Sequence, residues 1–128
     1  MLYFAYGMNT NNNAMSKTSK RLGPAILFDY KWEMLQFANV AAMPGVATLG
    51  VLWEIDENEL QDLDIREGYP TFYNRVLTEV EHNGELVQAW VYYMMPEYRV
   101  KLANEKPSQH YYKSVVEGYA QDGLIIPV

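Results

Sequence analysis

The run FYNRVLTEVEHNGELVQAWVYYM, residues 72–94, constrains the fold more than any other stretch of this chain. Two segments rich in β-branched and aromatic residues flank Asn83 and Gly84, a pair suited to the left-handed backbone of a two-residue hairpin turn. An antiparallel pair of strands is therefore expected here. Strand patterns also occupy residues 2–6, 23–37 and 45–55. In the first, Leu2, Phe4 and Tyr6 share one face while Tyr3 and Ala5 share the other. Gly50 interrupts the third, as at a bulge or a close contact.

Helical signals fall between these runs. Asp56 and Glu59 have capping-box spacing, and Gly68 followed by Pro70 marks the other end, which predicts a helix over residues 57–67. A second helix is expected from near Pro107 or Ser108 to just before Gly123, with Tyr112, Val115, Val116 and Tyr119 at helical spacing. Asn9, Asn11, Asn12 and Asn13 are N-cap candidates for a short helix through AMSKTSK. Strands thus come in consecutive runs with short turns between them. The expected class is α+β, a mainly antiparallel, barrel-like sheet with flanking helices, in one domain over residues 1–128.

Composition removes several function classes. The net charge is −6 with basic residues scattered, which disfavours a nucleic-acid partner. The sequence has no cysteine, so disulfides, thiolate–zinc sites and a cysteine nucleophile are excluded. His82 and His110 lie far apart without metal-ligand spacing, and no metal site is expected. The opening MLYFAYGM lacks a basic leader and is too short for a membrane span, as is every other apolar run. A soluble cytoplasmic protein with no membrane partner is expected. Ser16, Ser19, Ser108 and Ser114 lack the G-x-S-x-G context of a hydrolase nucleophile.

Two features carry chemistry. On the helix over residues 57–67, Leu60, Leu63 and Glu67 are related by steps of three and four, so the face that packs inward also carries a carboxylate. Burial and the negative end of the helix dipole both raise its pKa towards the range of a general base. The same spacing is compatible with Glu67 turning to solvent or pairing with Arg66 or Arg75. The second feature is YFAYGMN, residues 3–9, where Gly7 ends a strand. Backbone amides there are open to an acceptor such as a carboxylate, although an ordinary turn fits the same residues. Neither the second glycine nor the lysine of a phosphate loop is present.

These stretches together resemble the gamma-glutamylcyclotransferase-like superfamily. YFAYGMN is similar to its opening Y-F-A-Y-G-S-N, and GPAILFDYKWEMLQF to its G-P-A-x-L-x-x-Y-x-x-x-F stretch. LDIREGYPTFYNR is similar to its L-D-x-x-E-G…Y-x-R block, and AWVYYM and PSQHYYKSVVEGYAQDGL to its last strand and helix. The resemblance implies a ligand pocket where the Tyr3–Asn9 loop meets Glu67. By position, Tyr3, Tyr6, Gly7, Met8 and Asn9 surround the alpha-carboxylate and amine end of a gamma-glutamyl group. Glu67 takes the place of the catalytic glutamate, and Tyr73 and Tyr111 stand beside the substrate. The implied reaction is closure of the alpha-amine on the gamma-carbonyl, releasing 5-oxoproline and a free amine, with no cofactor required. Met8 replaces the family's serine, and the stretch before Gly23 is shorter than its usual helix, with only Arg21 left of a basic element. These departures leave a second reading, a non-catalytic binding module for gamma-glutamyl ligands.

Overall fold

Residues 1–127 are described by a computed structural model. Asn83 and Gly84 both take positive φ, 52° and 82°, the geometry a two-residue turn needs for the twist of its flanking strands. They join β4 (Tyr73–His82) to β5 (Glu85–Met94), paired antiparallel from His82 opposite Glu85 to Tyr73 opposite Met94. The preceding strands are β1 (Leu2–Ala5), β2 (Lys20–Met34) and β3 (Ala38–Glu54). In the order β1-β3-β2-β4-β5 they close a five-stranded barrel, with antiparallel pairing throughout except for the parallel contact of β1 with β5 at Tyr3 and Trp90.

Alternation of side chains divides the core in two. Phe4, Leu27, Leu52, Val80 and Val91 come one from each strand and meet in a single cluster, which places them inside the barrel. Val115 and Tyr119 of α3 (Gln109–Ala120) join that cluster. Tyr3, Ala5, Val51, Trp53, Tyr92 and Met94 face outward and are covered by Leu60 and Leu63 of α1 (Glu57–Glu67). Gly50 is the close contact its position suggests: a Cβ there would collide with the Ala5 carbonyl oxygen and the Phe4 ring.

Helix α1 has the predicted limits. Asp56 accepts the Glu59 N–H at 2.8 Å, Glu59 Oε1 accepts the Asp56 N–H at 3.0 Å, and Gly68 closes the helix at φ 66°. The Tyr69 N–H then returns to the Asp64 carbonyl at 2.9 Å.

Three segments depart from expectation. The short helix through AMSKTSK does not form. Single-turn 3-10 helices occupy Met8–Thr10 and Asn12–Ala14 instead; the Ser16 and Thr18 hydroxyls bond each other and Ser16 Oγ accepts the Thr18 N–H, competing with helix formation. Strand β3 begins at Ala38, ahead of the expected Gly45, because pairing with β2 overrides the weak strand character of ANVAAMP. A short helix α2, Pro96–Lys101, starts at a proline in its first turn and is too brief for a periodic signature. Among the described residues no helix is long and apolar enough to cross a membrane.

Candidate active site

The loop after β1 is folded by its own hydrogen bonds. Thr10 donates to the Gly7 carbonyl from both its hydroxyl, at 2.6 Å, and its N–H, at 3.1 Å, and the Asn11 N–H reaches the Met8 carbonyl at 3.0 Å. A Cβ at Gly7 would lie 3.1 Å from both the Ala38 Cβ and the Tyr111 hydroxyl, so the absence of a side chain lets loop, β3 and α3 meet. Gly7, Met8 and Asn9 line one wall of a cavity of about 260 Å³, with Tyr3 and Tyr6 of the preceding strand region beneath them.

Glu67 enters the same cavity from the last turn of α1. The alternatives left by the sequence are resolved by its neighbours. Arg75 is taken by Asp64 through two bonds of 2.8 and 3.1 Å, and Arg66 donates to the Ala14 carbonyl at 2.9 Å. Among the described residues Glu67 forms no ion pair; its hydrogen-bonding neighbour is Asn9, whose Nδ2 lies 3.4 Å from Oε1 and also donates to the Tyr3 hydroxyl at 3.0 Å. Burial pushes the Glu67 carboxyl up to about 7, against a smaller opposing pull from the Arg66 charge. It therefore titrates where a carboxylate can take and return a proton near neutrality.

Tyrosines complete the cavity. Tyr6 donates to the Tyr92 carbonyl at 2.8 Å, and Tyr73 to the Ala38 carbonyl at 2.7 Å. The Ala38 N–H in turn donates to the Tyr111 hydroxyl at 3.0 Å. Burial is the main reason that Tyr3, Tyr6 and Tyr73 hold their protons well above the ordinary phenol range, and the Glu67 charge adds to it. Tyr111 is pushed up to about 12 by burial, with the Ala38 N–H opposing, the Glu67 charge adding and the Met8 N–H opposing. At neutral pH the carboxylate thus faces neutral hydroxyls.

Every residue that the sequence places at a site lines this one cavity: Tyr3, Tyr6, Gly7, Met8, Asn9, Glu67, Tyr73 and Tyr111. Phe37, Ala38, Phe72 and Tyr92 line it as well and are not singled out by sequence, and Arg66, expected there only as a possible partner of Glu67, lines it too. Alternation along β5 was the available signal for Tyr92, on the outer face with Met94. Ala38 had none, because it contributes only backbone. Phe37 and Phe72 stack edge to face at 6.0 Å, with Tyr111 5.4 Å from Phe37, forming an aromatic rim.

A larger cleft of about 670 Å³ lies between the β2–β3 arm and α2. Its carboxylate, Glu33, is gripped by Arg99 at 2.7 and 2.9 Å, which holds its pKa below the usual range and makes it a poor base at neutral pH. No group of three or more His, Asp or Glu side chains among the described residues is placed to hold a metal ion.

The sequence model of the family described as "Gamma-glutamyl cyclotransferase, AIG2-like" matches residues 3–113. A solved structure named gamma-glutamyl cyclotransferase superposes with a TM-score of 0.80 at 24% identity, over 97% of this chain and 80% of the other. An uncharacterized protein, loc79017 from Homo sapiens, gives a TM-score of 0.80 at 25% identity, over 96% and 80%. YkqA from Bacillus subtilis gives 0.74 at 22% identity, over 94% of this chain and 48% of its own length. No curated protein sequence matches the chain. With a barrel of the same architecture and a family match over most of its length, the chain belongs to the gamma-glutamyl cyclotransferase, AIG2-like family.

Proposed function

We propose that this protein converts a gamma-glutamyl amide into 5-oxoproline and a free amine. The observation that carries the reading is Glu67: a carboxyl without an ion-pair partner among the described residues, raised to about 7, in a small cavity walled by the Gly7–Asn9 loop. In the bound substrate the alpha-ammonium gives a proton to Glu67. The freed amine attacks the gamma-carbonyl carbon, forming the ring C–N bond. The amide C–N bond then breaks as the departing nitrogen receives that proton from Glu67. The regenerated carboxylate takes the second proton from the ring nitrogen, leaving the neutral lactam N–H, and passes it to the released amine. Nucleophile and electrophile belong to one molecule, so the work of the site is to hold a folded conformer beside the base. The backbone N–H groups of the loop suit the substrate's carboxylate or the transient oxyanion, and the neutral hydroxyls around them add no competing charge.

Incubation with a panel of gamma-glutamyl amides, read out as 5-oxoproline, tests the reading directly. Release from at least one member is expected. Binding of gamma-glutamyl ligands with no 5-oxoproline from any member would replace it with the non-catalytic module, to which Met8 points.

The rate has an expected pH dependence. Glu67 must be ionised to accept the ammonium proton, so kcat/KM is expected to fall as pH drops through about 7. A profile flat from about pH 5 to about pH 9, roughly two units either side of the transition, would remove Glu67 as the base.

A further inference from the structure

Trp32 and Tyr119 lie outside the cavity, yet both reach the peptide group that begins its loop. Trp32 Nε1 donates to the Tyr6 carbonyl at 2.8 Å. The Tyr119 hydroxyl lies 3.0 Å from the same oxygen and 2.7 Å from the Leu49 carbonyl, so its single proton is shared between the two. Both side chains are buried in the barrel cluster, and neither lines the cavity.

The Tyr6–Gly7 peptide is trans. In a planar trans peptide the C=O and the following N–H point in opposite directions. A carbonyl drawn into the barrel core by Trp32 therefore turns the Gly7 N–H the other way, on the side where Gly7 borders the cavity. Among the described residues no acceptor takes that N–H. The next peptide is held by the same logic. Thr10 grips the Gly7 carbonyl, from its hydroxyl at 2.6 Å and its N–H at 3.1 Å.

We propose that Trp32, assisted by Tyr119, is a positioning residue that aims the Gly7 N–H at the acceptor oxygen of a gamma-glutamyl substrate. The inference rests on the cyclotransferase reading of the cavity. It extends that reading to two residues that touch no reacting atom and act through the backbone. A donor fixed before substrate arrives needs no reorganisation during reaction, and small misplacements of such groups cost rate steeply.

Trp32→Phe keeps an aromatic ring in the barrel but removes the donor together with part of the ring volume; Tyr119→Phe removes only the hydroxyl. Thr48→Val serves as a comparator, because Thr48 is buried, donates to the Tyr30 carbonyl at 2.9 Å and does not line the cavity. Each variant is compared with the parent for 5-oxoproline formation from the best gamma-glutamyl amide, and for the 15N–1H resonance of Gly7 as 5-oxoproline is titrated. Trp32→Phe is expected to lose about tenfold or more in kcat/KM, with Tyr119→Phe losing less. The 5-oxoproline-induced shift at the Gly7 amide is expected to shrink in the same order. The pH profile keeps its midpoint in both, since neither side chain contacts Glu67. Thr48→Val loses stability alone. Parent-like turnover and Gly7 shifts in a folded Trp32→Phe, or equal losses in Thr48→Val, would overturn the inference while leaving the cyclotransferase reading intact. A parent protein with neither turnover nor a shifted Gly7 amide would overturn both.

Discussion

Glu67→Gln is expected to lower turnover of a gamma-glutamyl amide about 100- to 10,000-fold while the chain keeps its fold. The carboxamide has nearly the shape of the carboxylate, and its oxygen still accepts from Asn9 Nδ2, which lies 3.4 Å from Glu67 Oε1. What it lacks is the ability to hold a proton between the ammonium and the departing nitrogen. Affinity for 5-oxoproline is expected to change far less than kcat. Equal losses in both would mean that Glu67 binds ligand without moving protons.

The same substitution has a stability consequence of opposite sign. In the folded protein Glu67 ionises at about 7, against an ordinary value of 4.5 for the unfolded chain. Between those values the native state holds a proton that the unfolded state has released, so rising pH favours unfolding. The favourable protonated state is fully present below the unfolded value and is lost as pH passes about 7. Glutamine carries no such penalty. Glu67→Gln is therefore expected to be more stable than the parent above pH 7, by on the order of 1–3 kcal/mol, and equally stable near pH 4. Denaturation curves at both pH values check this. A variant less stable than the parent in alkaline solution would show that the carboxylate is not desolvated. Lost activity with gained stability is the mark of a group held at a site against its own solvation.

The sequence made this site legible because each element that builds it is specified locally. Asp56, Glu59 and Gly68 fix the limits of α1, and the spacing of Leu60 and Leu63, 7% and 1% exposed, fixes which way Glu67 turns. Partners were harder to read. Arg66 and Arg75 are close to Glu67 in the chain and were equally good counter-ions; only the fold brings Asp64 and the Tyr92 hydroxyl to Arg75 and Asp64. In α3 the apolar spacing included Tyr112 and Val116, which the fold leaves 43% and 39% exposed while burying Val115, Gly118 and Tyr119. A hydrophobicity pattern cannot show that a glycine belongs to the buried stripe, since the signal there is the absence of a side chain. Backbone contributions are illegible for the same reason: the Ala38 N–H and C=O that hold Tyr111 and Tyr73 leave no trace in residue type.

Gly118 gives the second large effect. It lies where α3 crosses the loop that follows β1, and a Cβ there would overlap the Thr10 hydroxyl and sit 2.6 Å from the Asn11 nitrogen and 2.7 Å from the Thr10 carbonyl carbon. Two opposing effects decide the outcome of Gly118→Ala. Helix propensity favours alanine by about 1 kcal/mol. Overlap with backbone atoms that cannot rotate away opposes it, and overpacking of this kind costs about 1–3 kcal/mol or more. The neighbours are also pinned: Thr10 to the Gly7 carbonyl at 2.6 Å, and Asn11 through its side chain to the Ser114 carbonyl at 3.0 Å. Overlap should win, with a net loss of about 1–2 kcal/mol and a fall in Tm of several degrees. Relief by moving α3 outward would also carry Tyr111 away from Ala38 and Met8, so kcat/KM is expected to fall along with stability. Thermal denaturation beside the 5-oxoproline assay separates the two results. A Gly118→Ala variant with a raised Tm would show that propensity outweighs the contact, and that loop and helix are less tightly joined than their shared hydrogen bonds indicate.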